Sequence, residues 1–301
     1  MRLGNRTGEH ALTARVALLG TTANETNSEL VSAWRNRGID CELVTPADAR
    51  RCVDYDVTVA RLDVLPTLDG VEAGLLDLLW LERRGLRVVN SARALLNTHD
   101  KLRTAAVLAG AGLPGPHTAH LKGSPVPLPA APVVLKPRFG SWGRDVRLCR
   151  TRAEVVDCLA EFATRPWFRR HGVLVQEPVP SSGVDLRLLV AGGRVVGAIE
   201  RHAAPGEWRT NISLGGSKRA AAPGYGARAL AAAAAAAVGA DLVGVDLLPV
   251  AGGGYTVVEL NGAVDFDETY SRDGDVYAAV AAALALGPTR AREREAWPLP
   301  A

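Results

Sequence analysis

The chain has 301 residues, of which 48% are hydrophobic, 5% aromatic and 22% charged, and its formal net charge is +3. This composition is typical of a soluble globular protein with two or three small domains, and it argues against disordered and fibrous classes. The small net charge and the absence of a Lys/Arg run argue against nucleic-acid binding, and no uninterrupted run of about 18 apolar residues is present to span a membrane.

The four cysteines, Cys41, Cys52, Cys149 and Cys158, form no CxxC pair and have no His cluster beside them. Neither a zinc site nor a disulfide framework is therefore expected. Reduced thiols and a polar N-terminus without an apolar signal segment predict a cytoplasmic protein.

Residues 15–95 alternate between short apolar runs and helical patterns, and they predict a small parallel α/β domain. We expect strands at 15–20, 41–46, 55–61 and 86–90, with a helix over 70–84. Only Gly20 follows the first strand, so the GxGxxG fingerprint of a Rossmann oxidoreductase is missing. Residues 1–14 and 288–301 are predicted to be loose tails.

Two α+β lobes are predicted after this domain, a central one over 96–180 and a C-terminal one over 181–287. The expected elements of the central lobe are a helix over 98–112, a strand–loop–strand unit over 131–150, a helix over 151–163 and a strand over 171–179. In the last lobe an Ala-rich helix (226–238) separates two antiparallel hairpins, which turn at Gly192-Gly193 and at Gly252-Gly253-Gly254.

The segment VVLKPRFGSWGRD brings a lysine and a glycine-rich loop together. A buried strand ends at Lys136, and Gly140, Ser141 and Gly143 follow. Glycines let backbone N–H groups approach oxyanions, and a lysine adds a positive charge for phosphate. The segment is not a P-loop, and taken alone it could be an ordinary hairpin turn.

The segment LVQEPV ends a predicted buried strand in a single acid, Glu177. Pro178 and Pro180 remove backbone donors and indicate a hinge between lobes, where free backbone groups could bind the flat edge of a purine. The alternative is a solvated glutamate at the end of a strand.

Two acids and an amide occur late in the chain, within apolar runs. Glu259 and Asn261 are two residues apart on one strand and face the same side, and Asp246 lies on the neighbouring strand of the hairpin. Oxygen ligands of this kind suit Mg²⁺, with substrate phosphates completing its coordination. A structural hydrogen-bonded pair is the alternative to a metal site.

Several cationic and amide side chains lie between these segments. Arg187 and Arg201 come close together if the 185–201 hairpin forms, and Arg209 and Asn211 follow in WRTN. Arginines bind phosphate in a bidentate manner and suit a γ-phosphate or a developing acyl phosphate. Any one of them alone could be an exposed surface arginine.

Taken in order, these segments resemble the ATP-grasp carboxylate–amine ligases, and within them the RimK/LysX-like group. The resemblance covers about 90–285 and rests on THDK, VVLKP…GSWGR, VQEPV…GVDLR, AIERH…WRTN, GVDLL and VELN, which occur in the family's order with similar gaps. It implies the ATP-grasp fold, in which two α+β lobes grip ATP behind a small α/β domain.

The resemblance also implies roles for individual residues. Lys101 and Lys136 would hold the ATP phosphates, and the loop with Gly140, Ser141 and Trp142 would close over them. The remaining implied groups are the adenine site (Glu177, Pro178, Val179), the ribose and phosphate contacts (Asp185, Arg187), the catalytic residues (Arg201, Arg209, Asn211) and the ligands of two Mg²⁺ ions (Asp246, Glu259, Asn261). Mn²⁺ could substitute for Mg²⁺.

The implied reaction activates a carboxylate as an acyl phosphate and couples it to the amino group of an amino acid, releasing ADP and phosphate. The carboxylate would belong to a peptide or a small carrier protein, and the enzyme would be a homodimer or homotetramer. A natural-product or cofactor peptide ligase and an inactive ATP-binding regulatory module are the alternatives.

One segment departs from the pattern of the RimK-type glutamate ligases. Where those enzymes follow the metal asparagine with a small-Ser-Pro-Gly turn, this chain reads NGAVDFDETYS, which is closer to the LysX-like enzymes. Asp265, Asp267 and Glu268 could therefore contact an amino group or a basic substrate, and a solvated acidic turn is the equal alternative.

Overall fold

The computed structural model describes residues 14–123, 128–180, 182–272 and 274–287. The predicted tails therefore lie outside the described residues, except for Ala14. Three sheets of four, five and four strands make up the fold. Among the described residues no helix is both long enough and apolar enough to cross a membrane.

The first sheet is parallel, as the alternating pattern predicts, with the strand order β2-β1-β3-β4. Its strands are fully buried in the middle, where apolar runs such as Val16–Leu19 pack under helices on both faces. The elements are β1 (Arg15–Leu19), α1 (Glu25–Arg35), β2 (Asp40–Val44), β3 (Val57–Ala60), α2 (Leu75–Arg83) and β4 (Arg87–Val89).

The helix predicted over 98–112 is wrong at its start. Two helices, α3 (Ala92–His99) and α4 (Lys101–Gly110), meet at Asp100, whose backbone is extended. The Asp100 carboxylate accepts hydrogen bonds from the N–H groups of Leu102 and Arg103 and so caps α4. Both helices pack mainly against the last lobe, although their sequence precedes the second sheet.

The second sheet is antiparallel, with the strand order β5-β8-β6-β7. A small core of Val, Leu, Phe and Trp side chains lies between this sheet and its helices. The elements are β5 (Thr118–Leu121), β6 (Val133–Lys136), β7 (Arg147–Cys149), α5 (Arg152–Ala163), α6 (Pro166–His171) and β8 (Val173–Gln176).

The third sheet is antiparallel, with the strand order β11-β10-β9-β12-β13, and it contains both predicted hairpins. The Ala-rich helix packs on one face, because its small side chains allow a close approach to the strands. The elements are β9 (Val184–Ala191), β10 (Arg194–His202), β11 (Ser217–Ala220), α7 (Tyr225–Val238), β12 (Leu242–Pro249), β13 (Tyr255–Asn261) and α8 (Val276–Ala283).

The first and third sheets share a hydrophobic core through α1 and α8. The buried Trp34 donates a hydrogen bond from Nε1 to the Tyr277 carbonyl at 3.1 Å. Arg61, fully buried after β3, donates to the Val264 carbonyl at 2.8 Å. These contacts hold the loop that follows β13 against the carboxyl end of the parallel sheet.

Candidate active site

A cavity of about 160 Å³ lies between the second and third sheets. All but three of the residues predicted for the site line it, although they come from distant parts of the chain. They are Lys101, Lys136, Gly140, Ser141, Glu177, Pro178, Val179, Asp185, Arg201, Arg209, Asn211, Asp246 and Glu259. We call this the first cavity.

The three remaining predicted residues, Trp142, Arg187 and Asn261, line an adjoining cavity of about 490 Å³, the second cavity. The two cavities share Ser141, Arg201, Asn211 and Glu259 as lining residues. A molecule in one cavity could therefore react at this boundary with a molecule in the other.

Two lysines face the first cavity from different elements. Lys101, at the start of α4, donates from Nζ to the Gly140 carbonyl and to Glu259 Oε1, both at 2.6 Å. Lys136 ends β6 and is buried, and burial together with the neighbouring Lys101 cation lowers its pKa to about 8. Among the described residues Lys136 forms no ion pair, and the nearby Glu259 is already paired with Lys101, as expected where a polyanion binds.

The cap of α4 also supports the segment between Lys136 and the glycine loop. Arg138 donates from Nε and Nη2 to the two Asp100 oxygens at 2.7 and 2.6 Å. The Lys101 N–H donates to the Arg138 carbonyl at 3.0 Å. The break between α3 and α4 thus places both lysines beside the same loop.

Asp246 and Glu259 pair on β12 and β13, the two strands of the predicted hairpin, where a β-bulge beside Asp246 shifts the register by one residue. The Asp246 carboxylate accepts a bidentate pair from Arg187 at 2.6 and 2.7 Å and a further bond from Arg201 at 2.8 Å. Burial raises the pKa of Asp246, but the two guanidinium groups together outweigh it and lower the pKa to about 2. Asp246 is therefore an anion at neutral pH.

Asp185 is buried and committed to protein partners. Arg201 donates to its two oxygens at 2.8 and 2.5 Å, and the Thr210 hydroxyl donates at 2.6 Å. The carboxylate thereby fixes the direction of the Arg201 guanidinium toward the cavity boundary. Contact of Asp185 with a ribose remains a prediction.

Arg209 joins the third sheet to the glycine-rich loop of the second. It donates from Nη1 to the Gly143 carbonyl at 2.9 Å and forms an ion pair with Glu207 at 2.7 Å. Gly143 has φ +69°, and a Cβ there would lie 2.7 Å from Asn211 Oδ1, so the position requires glycine. Glu207, which the sequence analysis missed, orients Arg209, and the Arg209 hydrogen bond lowers the pKa of Glu207 to about 2.

Glu177 directly follows β8 at the wall of the first cavity and is exposed. Its Oε1 accepts a hydrogen bond from the His117 N–H at 2.9 Å, and its own N–H donates to the His117 carbonyl at 3.2 Å. The side chain therefore links the end of β8 to the segment before β5, and Pro178 and Val179 line the cavity next to it.

Two buried polar atoms facing the second cavity have no hydrogen-bond partner among the described residues, Asn261 Nδ2 and His99 Nε2. Burial lowers the pKa of His99, so its imidazole is neutral. The sequence analysis missed His99, although it stands next to the capping aspartate in THDK. Within the described residues no three His, Cys, Asp or Glu side chains are grouped to hold a metal ion.

Only one of the three acids predicted to contact an amino group lies at the second cavity. Asp265 lines it, together with Asp63, which follows β3 and was not predicted. Asp267 instead caps the short 3-10 helix Glu268–Tyr270 and forms an ion pair with Lys218. Glu268 is exposed. Asp63 could have been found from its position at the carboxyl end of a parallel strand, where ligands bind in open α/β sheets.

Residues 98–284 match the RimK-like ATP-grasp domain family. A probable alpha-L-glutamate ligase of Serratia proteamaculans (strain 568) is 32% identical over 267 residues, covering 81% of this chain and 86% of that protein. The tetrahydromethanopterin:alpha-L-glutamate ligase of Methanosarcina acetivorans is 34% identical over 181 residues, covering 54% of each chain.

Solved structures share the fold. A RimK domain ATP-grasp protein from Sphaerobacter thermophilus DSM 20745 is similar with a TM-score of 0.67 at 23% identity, over 90% of this chain and 100% of that one. The D-alanine–D-alanine ligase of Bacillus anthracis complexed with ATP has a TM-score of 0.67 at 16% identity, over 92% and 96%.

The chain therefore belongs to the RimK-like ATP-grasp family and has the predicted ATP-grasp fold. It is an ATP-dependent carboxylate–amine ligase.

Proposed function

We propose that the enzyme binds ATP in the first cavity, transfers the γ-phosphoryl group to a carboxylate at the cavity boundary, and couples the acyl phosphate to an amine in the second cavity. The observation that carries this proposal is the junction of the two cavities at Ser141, Arg201, Asn211 and Glu259. Such a junction suits a reaction in which the carboxylate first attacks the γ-phosphate of the nucleotide and the amine then attacks the resulting acyl phosphate.

For ATP, we propose that Lys101 and Lys136 bind the phosphates beneath the Gly140–Arg144 loop. Glu177 and the backbone of Pro178 and Val179 would face adenine, and Asp185 the ribose. The ion pair of Lys101 with Glu259 supports this role, since a lysine already held at the boundary needs little reorganisation to meet a phosphate.

For the metal, the donor set fits Mg²⁺. Asp246 and Glu259 would supply two carboxylates, and Asn261, two residues after Glu259 on β13, would supply an amide oxygen. Mg²⁺ keeps several water ligands and completes its coordination with substrate phosphates, so few protein oxygens suffice. When bound, one or two such ions, or Mn²⁺, would neutralise charge on the phosphates.

The arginines would act at the boundary on the group being transferred. Arg201 is held by Asp185 and Asp246, and Arg209 by Glu207, so both guanidinium groups are oriented before a substrate arrives. Preorganised cations of this kind stabilise the charge that develops during phosphoryl transfer. Asn211, packed under Gly143, would contact the acyl phosphate.

The names of the relatives support the substrate classes that we propose. The named relatives are glutamate ligases, and one structural neighbour, the ATP-grasp ligase PsnB, is complexed with a minimal precursor. We propose a peptide or small carrier-protein carboxylate and an amino-acid amine, in a cytoplasmic homo-oligomer. A small natural-product acid would serve the same chemistry.

The test is Mg²⁺-dependent ATP turnover with a panel of carboxylates and amines, in which ADP, AMP and phosphate are measured separately. We expect ADP and phosphate release that requires both an amine and a carboxylate. AMP and pyrophosphate would contradict the acyl phosphate. Nucleotide binding with no turnover across the panel would favour a binding module instead.

A further inference from the structure

Part of the wall of the second cavity is formed by residues that do not line the first cavity. The positive and negative charges on this part of the wall do not balance. The charged residues that line the second cavity are Asp63, Arg187, Arg201, Lys218, Glu259 and Asp265. Glu259 lies at the boundary and is paired with Lys101. The other charges decide which amine substrate the wall can accept.

Every cation that lines the second cavity already has an acidic partner. Arg187 forms a bidentate pair with Asp246, and Arg201 is shared between Asp185 and Asp246. Under the proposed function both arginines turn toward the phosphates. Lys218 is paired with Asp267, outside the cavity. Within the described part of the chain, no lining cation is therefore left to receive the carboxylate of a substrate side chain.

The two acids on the distant wall are poorly neutralised. The Asp63 carboxylate accepts one hydrogen bond, from the Val64 N–H at 2.6 Å, and forms no ion pair among the described residues. Asp265 Oδ1 accepts a bond from Asn24 at 2.9 Å and lies 3.7 Å from the Arg61 guanidinium. Among the described residues the only ion pair of these two carboxylates is that of Asp265 with Arg61, which leaves this wall with net negative charge.

Independent features indicate that a ligand completes this cavity. His99 is only 5% exposed, lines the cavity and has no partner at Nε2 among the described residues. Unsatisfied buried polar atoms are costly and usually mark a missing partner. The indole of Trp142, 51% exposed, also lines the cavity. The Arg144 guanidinium lies 4.7 Å from its ring centroid, and the exposed part of the ring suits an alkyl chain.

We propose that the second cavity binds an amine substrate carrying an additional positive charge, such as a basic amino acid, with Asp63 and Asp265 receiving that charge. This inference rests on the proposed function, because the reacting amine must lie beside the boundary residues. It departs from the glutamate named for the relatives, whose side-chain carboxylate would face two acids here.

The test is calorimetric binding of L-lysine, L-norleucine and L-glutamate to the full chain, saturated with Mg²⁺ and a non-hydrolysable ATP analogue. L-norleucine matches the L-lysine side chain without its ammonium group. We expect L-lysine to bind about tenfold more tightly than either of the others. Binding of L-glutamate at least as tight as that of L-lysine, equal binding of L-lysine and L-norleucine, or no binding of any of the three would overturn the proposal.

Charge-removing variants identify the residues. Asp63→Asn and Asp265→Asn each keep an oxygen for the existing hydrogen bond, and each should reduce the preference for L-lysine over L-norleucine about fivefold or more. Asp157→Asn, on the exposed face of α5, is the matched control and should leave it unchanged. An unchanged preference in both cavity variants would contradict the assignment.

The two proposals fail separately. ADP release with glutamate as the preferred amine would remove this inference and keep the ligase mechanism. Preferential L-lysine binding without acyl-phosphate chemistry would keep this inference and remove the ligase mechanism.

Discussion

The Asp246 carboxylate is held between two guanidinium groups, and its low pKa keeps it ionised throughout the neutral range. Its neighbour across the hairpin, Glu259, is paired with Lys101 in the same way. Under the proposed function, an acid that fixed cations hold as an anion could accept a metal ion without first losing a proton. The same arrangement presets the direction of Arg201.

We expect Asp246→Asn to lower kcat by about 100-fold or more, because a neutral amide neither binds Mg²⁺ as well nor holds Arg187 and Arg201. The measurement is ADP release at saturating ATP over a range of Mg²⁺ concentrations, with thermal unfolding to verify the fold. The control is Asp157→Asn. Wild-type turnover in Asp246→Asn would remove Asp246 from the metal site.

The lowered pKa of Lys136 predicts that ATP affinity depends on pH. Since its pKa is lowered to about 8, the ammonium charge is lost from the nucleotide-free protein as the pH rises through that value. We expect ATP affinity, measured by titration between pH 7 and 9, to fall by up to about tenfold for each unit above 8. Lys136→Arg keeps its charge and should flatten this dependence. An equally steep fall in the arginine variant would assign it to another group.

The lowered pKa of Lys136 affects folding stability in the opposite direction, because stability increases as the pH rises. The folded-state pKa of Lys136 lies below its unfolded value of 10.5, so the buried charge reduces stability below about pH 8. This contribution is relieved as the pH rises from about 8 to 10.5.

At the scale of elements, the break between α3 and α4 organises the nucleotide side of the site. Asp100 caps α4, pairs with Arg138 and is only 2% exposed. Because Lys101 is the first residue of α4, the cap determines where that lysine points. A continuous helix over 98–112 would leave Arg138 without its buried partner.

Asp100→Ala should lower the free energy of unfolding by about 2–3 kcal/mol, because it removes both the helix cap and the ion pair. Urea unfolding measures this change, and ATP affinity should fall with it. Asp100→Asn keeps a capping oxygen and should lose less stability. Equal losses in the two variants would show that the charge, and not the cap, carries the effect.

At the scale of the whole molecule, the N-terminal sheet is fastened to the last lobe. Trp34 on α1 is fully buried and bonded to the carbonyl of Tyr277 on α8, and Arg61 holds the loop after β13. These contacts between the first sheet and the last lobe bring Asp63, which follows β3, to the second cavity. The parallel domain thus contributes to the site although none of the residues predicted for it lies there.

Trp34→Phe should lower the free energy of unfolding by about 2 kcal/mol through the lost hydrogen bond and the cavity it creates. Trp80→Phe on α2, a half-buried tryptophan within the first domain, is the matched control and should cost less. Urea unfolding followed by circular dichroism measures both. If Trp34→Phe lowered the free energy of unfolding no more than the control does, the contact between α1 and α8 would not stabilise the protein as proposed.

The sequence by itself determined the fold class, the two hairpins and the residues around the first cavity. The strands, helices and hairpins follow from local patterns of apolar alternation and glycine turns. The ATP-grasp fold and several of the site residues, such as Lys101 and Asp185, follow instead from the resemblance of the ordered motifs to the family. The sequence also placed Asp246 and Glu259 on neighbouring strands of one hairpin, whereas a β-bulge beside Asp246, which the sequence did not predict, decided that the two residues pair directly. It did not reveal the break at Asp100, because a helical pattern continues through that residue and capping depends on the partner Arg138.

Only the tertiary structure decided which predicted residues separate into two cavities and which charges remain unpaired. Trp142, Arg187 and Asn261 face the second cavity, and Asp63 and His99 join them from segments distant in the chain. Such a site depends on contacts between elements far apart in sequence, and its net charge depends on the pairing of every neighbour. Neither property is encoded in local periodicity, because both arise only when the three sheets pack together.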